Sequence, residues 1–370
     1  MSILSYFRTP GSSISTRQKT GWIGVDIGTE SIKVSQLQRL GGKYRVARSL
    51  VVHADDRKPF DVSSFQNGRV GNELHRALRG HGGFRGQQAA CAVSMSNCQL
   101  RTLVSARGSE DEQRELISLE MENDPSGTAE PLEFEFWDAS TGEQNENRGM
   151  TQVHVLSMPQ SFSDCIANNL LRAGLQCQIL DAVPFAAVRA SEMMPDRTGS
   201  ATAESSYAVL DWGNSFATLL VVHDGQPFMT RTLRHCGLEH VLSSVRQRLK
   251  LSAREAEAML TTYGVSTRVS PSSEKTELQS LITELCSTVV RDLVSEILET
   301  LSFMKMQFPK QMPAHFCLLG GGASIRNISA WLQQQIRLPV IDWSLRGSQT
   351  EQVSPVMAVS AALSALAWEL

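Results

Sequence analysis

The chain has 370 residues, 41% of them apolar, with a formal net charge of −3, so it can bury two substantial cores arranged as two to three units of ordinary size. That near-neutral balance offers no overall footprint for nucleic acid or an acidic membrane surface, and no window reaches the roughly 18 apolar residues of a membrane span. Seven scattered cysteines without a C-x-x-C pair fit reduced cytosolic thiols rather than a secreted disulfide framework, and no disulfide is expected.

Residues 1–20 read as a disordered tail. Their apolar patch, Ile3-Leu4-Ser5-Tyr6-Phe7, is too brief for a signal-peptide core, and a weak interfacial anchor is the minor alternative. The chain is then organised by Val25-Asp26-Ile27-Gly28-Thr29-Glu30-Ser31-Ile32-Lys33-Val34. An aspartate ends an apolar strand, a glycine and small hydroxyl residues follow, and a second strand leads to a turn at Gly41-Gly42. Such a turn is shaped for phosphate, because the glycine leaves out the Cβ that would hold a bulky anion off the backbone N–H groups. The aspartate cannot face phosphate directly, so it must act through a cation or by holding a water. Lys33 could reach phosphate or be solvated on its strand, and the residues leave both open. The hairpin leads through Arg45–Val52 into a polar stretch, and a helix around Val70–Leu78, a glycine-rich break at Gly80–Gly86 and a strand at Ala89–Met95 complete a β-rich start with a crossover helix.

From Gln99 to Gly174 the pattern changes to strand (Leu100–Val104), helix (Glu110–Asn123), strand (Glu133–Trp137), strand (Gln152–Met158) and helix (Phe162–Ala173), a small α+β unit inserted in the first domain. Leu116, Ile117 and Leu119 are expected on one side of its first helix. The alternation Glu133-Phe134-Glu135-Phe136 reads as a solvated sheet face, with a partner-binding edge as the alternative. The polar loop Asp138–Gly149 separates the middle strands, and Gly174 closes the last helix. A strand at Cys177–Leu180 and an apolar helix begun by Pro184 return to the main domain.

Beyond the low-complexity segment Pro195–Ser206, the opening pattern recurs more loosely as Leu210-Asp211-Trp212-Gly213-Asn214-Ser215-Phe216-Ala217-Thr218-Leu219, with a hairpin turn at Asp224-Gly225. One apolar-Asp-x-Gly turn arises by chance; two in matched hairpins are hard to dismiss. Helices follow over Leu238–Leu249 and Ser252–Leu260, the second with a capping box from Ser252 and Glu255. After the loop Ser266–Ser273, a long helix from about Glu277 to Gln307 repeats Leu278, Leu281, Leu285, Val289, Leu293, Ile297 and Leu301 at three- and four-residue steps, as a packed domain helix would. Phe316-Cys317-Leu318-Leu319 then runs into Gly320-Gly321-Gly322-Ala323 before a helix reaching Gln335, a junction where a ligand could meet unpaired N–H groups. The Ala- and Ser-rich stretch Val356–Trp368 reads as a buried C-terminal helix. No phosphate loop of the G-x-x-x-x-G-K-[ST] type and no G-x-S-x-G elbow is present, and the eight histidines are dispersed, His235 and His240 included.

Two D-x-G phosphate hairpins, a late strand-GGG-helix and a small α+β insertion resemble the actin-like ATPase superfamily, in the branch of the PilM-type pilus assembly proteins and the division protein FtsA. Gly24–Lys33, Leu319–Ala323 and Leu338-Pro339-Val340 carry the likeness, which spans nearly the whole chain after the tail. The fold class it implies is α/β, an actin-like (ribonuclease H-like) two-domain fold. The expected divisions are a tail (1–20), a first domain (21–98 and 175–205), the insert (99–174), a second domain (206–352) whose helical part is 237–310, and a C-terminal helix (353–370) packed back on the first domain.

The resemblance implies ATP and magnesium between the domains, with Asp26 and Asp211 as catalytic residues holding the metal through water. The nucleotide would meet Asp26, Gly28, Thr29, Glu30, Ser31, Lys33, Asp211, Gly213, Asn214, Ser215, Gly320, Gly321, Gly322 and Ala323. It also implies a cytoplasmic scaffold at the inner face of the cytoplasmic membrane. The expected partner is the N-terminal tail of a PilN-like inner-membrane pilus assembly protein, with no nucleic acid and with membrane association only through that partner. Its groove would involve the insert, though no residue of it can be matched by motif. Three departures set hydrolysis apart from binding and imply at most weak ATPase activity. Val183-Pro184 stands where the better ATPases have Glu-Pro; Glu255-Ala256-Glu257 lacks the lysine that often follows it by three positions; and Trp212 replaces a small residue in the second turn. A pseudo-ATPase scaffold without nucleotide and a sugar-kinase-type phosphotransferase remain as alternatives.

Overall fold

The structure is a computed structural model that describes residues 19–40, 43–55, 58–123, 130–138, 149–194, 206–266, 274–346 and 352–368. Residues 1–18 of the expected disordered tail, the Gly41-Gly42 turn, nearly all of the loop between Asp138 and Gly149 and of the segment Pro195–Ser206, and most of the loop Ser266–Ser273 lie outside the described residues, whereas Lys19 and Thr20, expected in that tail, already pair with Arg39 and Gln38 as the start of a strand.

Two five-stranded sheets repeat one topology. In the first, β1 (Lys19–Ile27), β2 (Ser31–Leu40) and β3 (Lys43–His53) form an antiparallel meander, while β4 (Gln88–Val93) and β8 (Gln176–Ala182) join parallel to β1 in the order β3-β2-β1-β4-β8. In the second, β9 (Tyr207–Trp212), β10 (Ala217–His223) and β11 (Gln226–Leu233) form the meander and β12 (Phe316–Leu319) and β13 (Val340–Asp342) the parallel side, in the order β11-β10-β9-β12-β13. Asp224 and Gly225, at φ 50° and 74°, make the β10–β11 turn with the two positive φ values that suit strand twist. Strands such as β4 (Ala89 to Val93) and β10 (Ala217 to Val222) are buried on both faces, so they read as continuous apolar runs.

After the short helix α1 (Val62–Gln66), helix α2 (Arg69–His81) is the crossover before β4. It packs on α4 (Gln160–Arg172), with the Gly71 N–H donating to Asn169 Oδ1 at 2.9 Å. Between them in sequence, β5 (Gln99–Ala106), α3 (Glu110–Glu122), β6 (Leu132–Asp138) and β7 (Met150–Pro159) form a three-stranded sheet in the order β5-β7-β6. Its own core is small: Ile117, Met121, Val153 and Val155. Of the three residues expected on one side of α3, Ile117 points inward, together with Met121, while Leu116 and Leu119 are 44% and 49% exposed. The fifth element of the inserted pattern, α4, instead gives Ile166 and Leu170 to the core of the first sheet.

Helix α5 (Val183–Glu192) and helix α10 (Ala358–Ala365) lie between the two sheets, in one apolar cluster that takes Leu37, Ala90 and Ala92 from the first and Val209, Leu220 and Leu319 from the second. Close approach of α10 to β1 requires Gly24, where a Cβ would collide with the Ser360 carbonyl. The helix's serines are satisfied inside this core: Ser364 Oγ donates to Trp22 O at 2.5 Å and Ser360 Oγ meets Ser35 Oγ at 2.8 Å.

Helices α6 (Leu238–Leu249), α7 (Ala253–Thr262) and α8 (Glu274–Gln307) cover the second sheet. The buried stripe of α8 is Ile282, Cys286, Val290, Leu293, Ile297 and Met304, largely one position on from the expected one, whose Leu278, Leu285, Val289 and Leu301 sit on its flank. Leu293 and Ile297 are buried as expected, while in the first half of the helix two apolar stripes lie side by side and periodicity alone does not choose between them. All seven cysteines are free, and no helix among the described residues is long and apolar enough to cross a membrane.

Candidate functional site

The β1–β2 and β9–β10 turns meet. Thr29 Oγ1 and Ser215 Oγ, 186 positions apart in the chain, are 2.8 Å from each other. In the first hairpin Asp26 pairs across the strands with Lys33, and Lys33 Nζ lies 3.2 Å from Asp26 Oδ2. In the second, Asp211 pairs in the same register with Thr218, which is buried and whose Oγ1 has no hydrogen-bond partner among the described residues. The repeat therefore places two aspartates but a single cation. Burial pushes the Asp211 carboxyl up to about 7, the negative charge of Asp26 adds to that, and Lys33 opposes it.

Gly320, at φ 84°, supplies the third wall. A Cβ there would stand 2.5 Å from Asp211 Oδ1, so only glycine lets β12 leave the sheet beside that carboxylate. The second turn is held from behind by the start of α6, where Leu238 N and Glu239 N donate to Gly213 O and Asn214 O, each at 3.0 Å. These elements enclose a cavity of about 1280 Å³. Asp26, Gly28, Thr29, Glu30, Ser31, Lys33, Asp211, Gly213, Asn214, Ser215, Gly320 and Gly321 all line it.

Two expected residues do not reach it. Gly322 is buried against the Trp212 indole, and Ala323 packs into the core of the second sheet. The junction also differs from a strand running into a helix N-terminus. A 3-10 turn occupies Gly321–Ser324, and α9 (Ile328–Ile336) begins only after Asn327 at φ 64°. Ile325 and Ile328 are drawn into the core first, so backbone at Gly320 and Gly321, rather than a helix end, faces the cavity.

Trp212 does not fill the site. Its ring is buried and its Nε1–H donates to Cys236 O at 2.8 Å, on the core side of β9. Val183 does line the cavity, as do Arg246, Arg254, Glu239 and Glu257 on α6 and α7. Sequence reading missed the last four, because charged residues on amphipathic helices look like an ordinary solvated face. Arg246 Nη1 lies 3.7 Å from Glu239 Oε1.

Asp211 sets a pH dependence. Its carboxyl keeps a proton up to about 7 in the folded chain but releases it near 3.8 when unfolded. The ligand-free chain therefore loses stability as pH rises between those values. Asp211→Asn is expected to be more stable than the parent at pH 8 by on the order of 2–4 kcal/mol and equal to it near pH 4. Thermal unfolding across that range checks this, and parallel curves would remove the Asp211 carboxylate from the balance.

A family model described as type IV pilus assembly protein PilM matches residues 24–355. Among solved structures, the chain is similar to one from a PilM-PilN type IV pilus biogenesis complex, with a TM-score of 0.75 and 18% identity, covering 94% of this chain and 98% of that one. It is also similar to the ethanolamine utilization protein EutJ from Carboxydothermus hydrogenoformans, with a TM-score of 0.53 and 13% identity, covering 94% and 89%. At these identities the likeness speaks for the fold, which is the actin-like α/β fold that the sequence resemblance implied.

Proposed function

Because this chain belongs to the PilM family of type IV pilus assembly proteins, we propose that it is a cytoplasmic, nucleotide-responsive scaffold of a pilus or related assembly machine. In this reading it binds ATP with magnesium between the two hairpin turns, and the cytoplasmic tail of a PilN-like inner-membrane protein elsewhere. The observation that carries the nucleotide half is the Thr29–Ser215 contact beside Asp26, Lys33 and Asp211, since a phosphate chain laid there would touch both sheets at once. The residues suit a divalent cation: Asp211 is held near neutrality by burial and by a second carboxylate, which is the environment a cation relieves. Asp26 and Asp211 would hold it through water, and when bound it neutralises phosphate oxygens.

Lys33, Thr29, Ser31 and Ser215 supply the donors, and Gly28, Gly213 and Gly320 leave backbone N–H groups approachable. Val183 offers no carboxylate to order an attacking water, which leaves at most weak hydrolysis. Nucleotide would act by favouring one relation of the two sheets, and partner affinity changes only as far as the partner distinguishes those relations. The Lys33–Asp26 pair, which neutralises one carboxylate without any ligand, favours a second reading, a scaffold of the same shape that binds no nucleotide.

Calorimetric titration with ATP, with and without magnesium, separates the two. Binding at millimolar ATP or below, strengthened by magnesium and changing the affinity for a PilN-like tail peptide severalfold, is the expected result. No heat at millimolar ATP would leave the nucleotide-free scaffold, and no peptide binding in either state would remove the partner.

A further inference from the structure

The duplicated hairpins repeat more than their turns. Lys33 and Thr218 each stand seven positions after the aspartate of their turn, and each pairs with it directly across the strands, Lys33 with Asp26 and Thr218 with Asp211. In the first hairpin that position already holds a carboxylate, through the Lys33–Asp26 ion pair at 3.2 Å. In the second, the equivalent side chain is 1% exposed and its Oγ1 meets no hydrogen-bond partner among the described residues.

Alternation along the strands fixes the face on which that hydroxyl lies. On β10, Ala217 and Leu219 join the core under α6 to α8, whereas Leu220 and Val222 join the apolar cluster between the two sheets. On β9, Leu210 and Trp212 belong to the first of these cores and Val209 to the second. Asp211 and Thr218 therefore both point into the seam between the sheets. Directly opposed side chains on one face have Cβ atoms roughly 4.5–5.5 Å apart, close enough for a hydroxyl to reach a carboxylate or to share a water with it. Asp211 lines the cavity, and Thr218 stands beside it out of the reach of solvent.

Strand geometry alone does not account for this residue. A strand interior favours a β-branched side chain, but valine would meet that need without burying a polar atom, and a buried hydroxyl without a partner is destabilising. The acceptor set opposite it is the Asp211 carboxylate.

We infer that Thr218 is a positioning residue for Asp211. With nucleotide and a divalent cation in the cavity, its hydroxyl donates to the Asp211 carboxylate, directly or through one water, and holds it toward the cation's hydration shell. This rests on the nucleotide reading proposed above. Carboxylates that serve a metal are themselves hydrogen-bonded from behind, and loss of such a partner typically costs about 10–100-fold in metal affinity.

Calorimetric titration of the full chain with ATP, with and without magnesium, tests this in the parent, Thr218→Val and Thr218→Ser, alongside thermal unfolding of each without ligand. Thr218→Val removes the hydroxyl and keeps the shape. It is expected to unfold at the parent's temperature or above, to bind ATP alone as the parent does, and to lose about tenfold or more of the affinity that magnesium adds. Thr218→Ser keeps the hydroxyl and gives up a methyl, so it should unfold at a lower temperature and retain the magnesium gain. Stability and metal response then part in opposite directions in the two variants, which a merely structural threonine would not produce. A magnesium gain that survives in Thr218→Val, or is lost in both variants, overturns the inference and leaves the nucleotide reading standing. Unfolding of Thr218→Val well below the parent does the same, since the hydroxyl would then be bonded without ligand. A parent that binds no ATP, or binds it indifferently to magnesium, overturns the inference and that reading together.

Discussion

Asp26→Ala is expected to abolish the stabilisation of this protein by ATP and magnesium while leaving the chain folded. For the parent, nucleotide at about a hundred times its dissociation constant should add about 2.7 kcal/mol. In the variant that increment should vanish, because the remaining carboxylate, Asp211, cannot by itself complete the charge that a metal–phosphate pair meets across the turns. The folding penalty should stay near 1 kcal/mol or less. Lys33 loses its partner, but its charge also acts on the Asp211 carboxylate, so the ammonium is not left without a nearby anion, and the repulsion between the two carboxylates is removed. A second readout comes from the neighbour. Asp26 is one of the charges that raise Asp211, so in the variant the pH at which stability stops falling should move down from about 7. Full nucleotide stabilisation in the variant would take Asp26 out of the site, and a collapsed variant would make it structural.

Gly322→Ala should destabilise the second half by about 3 kcal/mol. Its new Cβ would enter the Trp212 indole, which is 1% exposed and pinned by its bond to Cys236 O. Neither the ring nor the glycine can step aside, because Trp212 O also limits the space behind Gly320. Trp212→Leu alone should cost about 2–4 kcal/mol through a void and an unpaired carbonyl. Combined, the two changes should cost less than their sum by 1 kcal/mol or more, as denaturant unfolding would show. Strict additivity would mean that the two residues do not press on each other. The pair matters for the site because Trp212 follows Asp211 directly, so the tryptophan that reads as an intruder in a phosphate turn anchors that turn from the core side.

What the sequence determined by itself is local and periodic. The two Asp-x-Gly hairpins, the capping box at Ser252, the positive-φ turn at Asp224-Gly225 and the alternation of strands with a crossover helix follow from residues close together in the chain, because backbone sterics and short-range hydrogen bonds dictate them. The resemblance of those hairpins to a family then carried the fold. Side-chain direction could not be read that way. On α3 and α8 two apolar stripes compete, and the choice between them belongs to the surface they meet, which is why Leu116 and Leu119 face out and Ile282 and Cys286 face in. Nor could the sequence say that Gly322 serves Trp212 while Gly320 serves Asp211, that Arg246 and Arg254 turn toward a cavity, or that Thr29 touches Ser215. Those facts depend on packing between segments tens to hundreds of residues apart, where free energy is shared among many contacts and no single residue announces its neighbour.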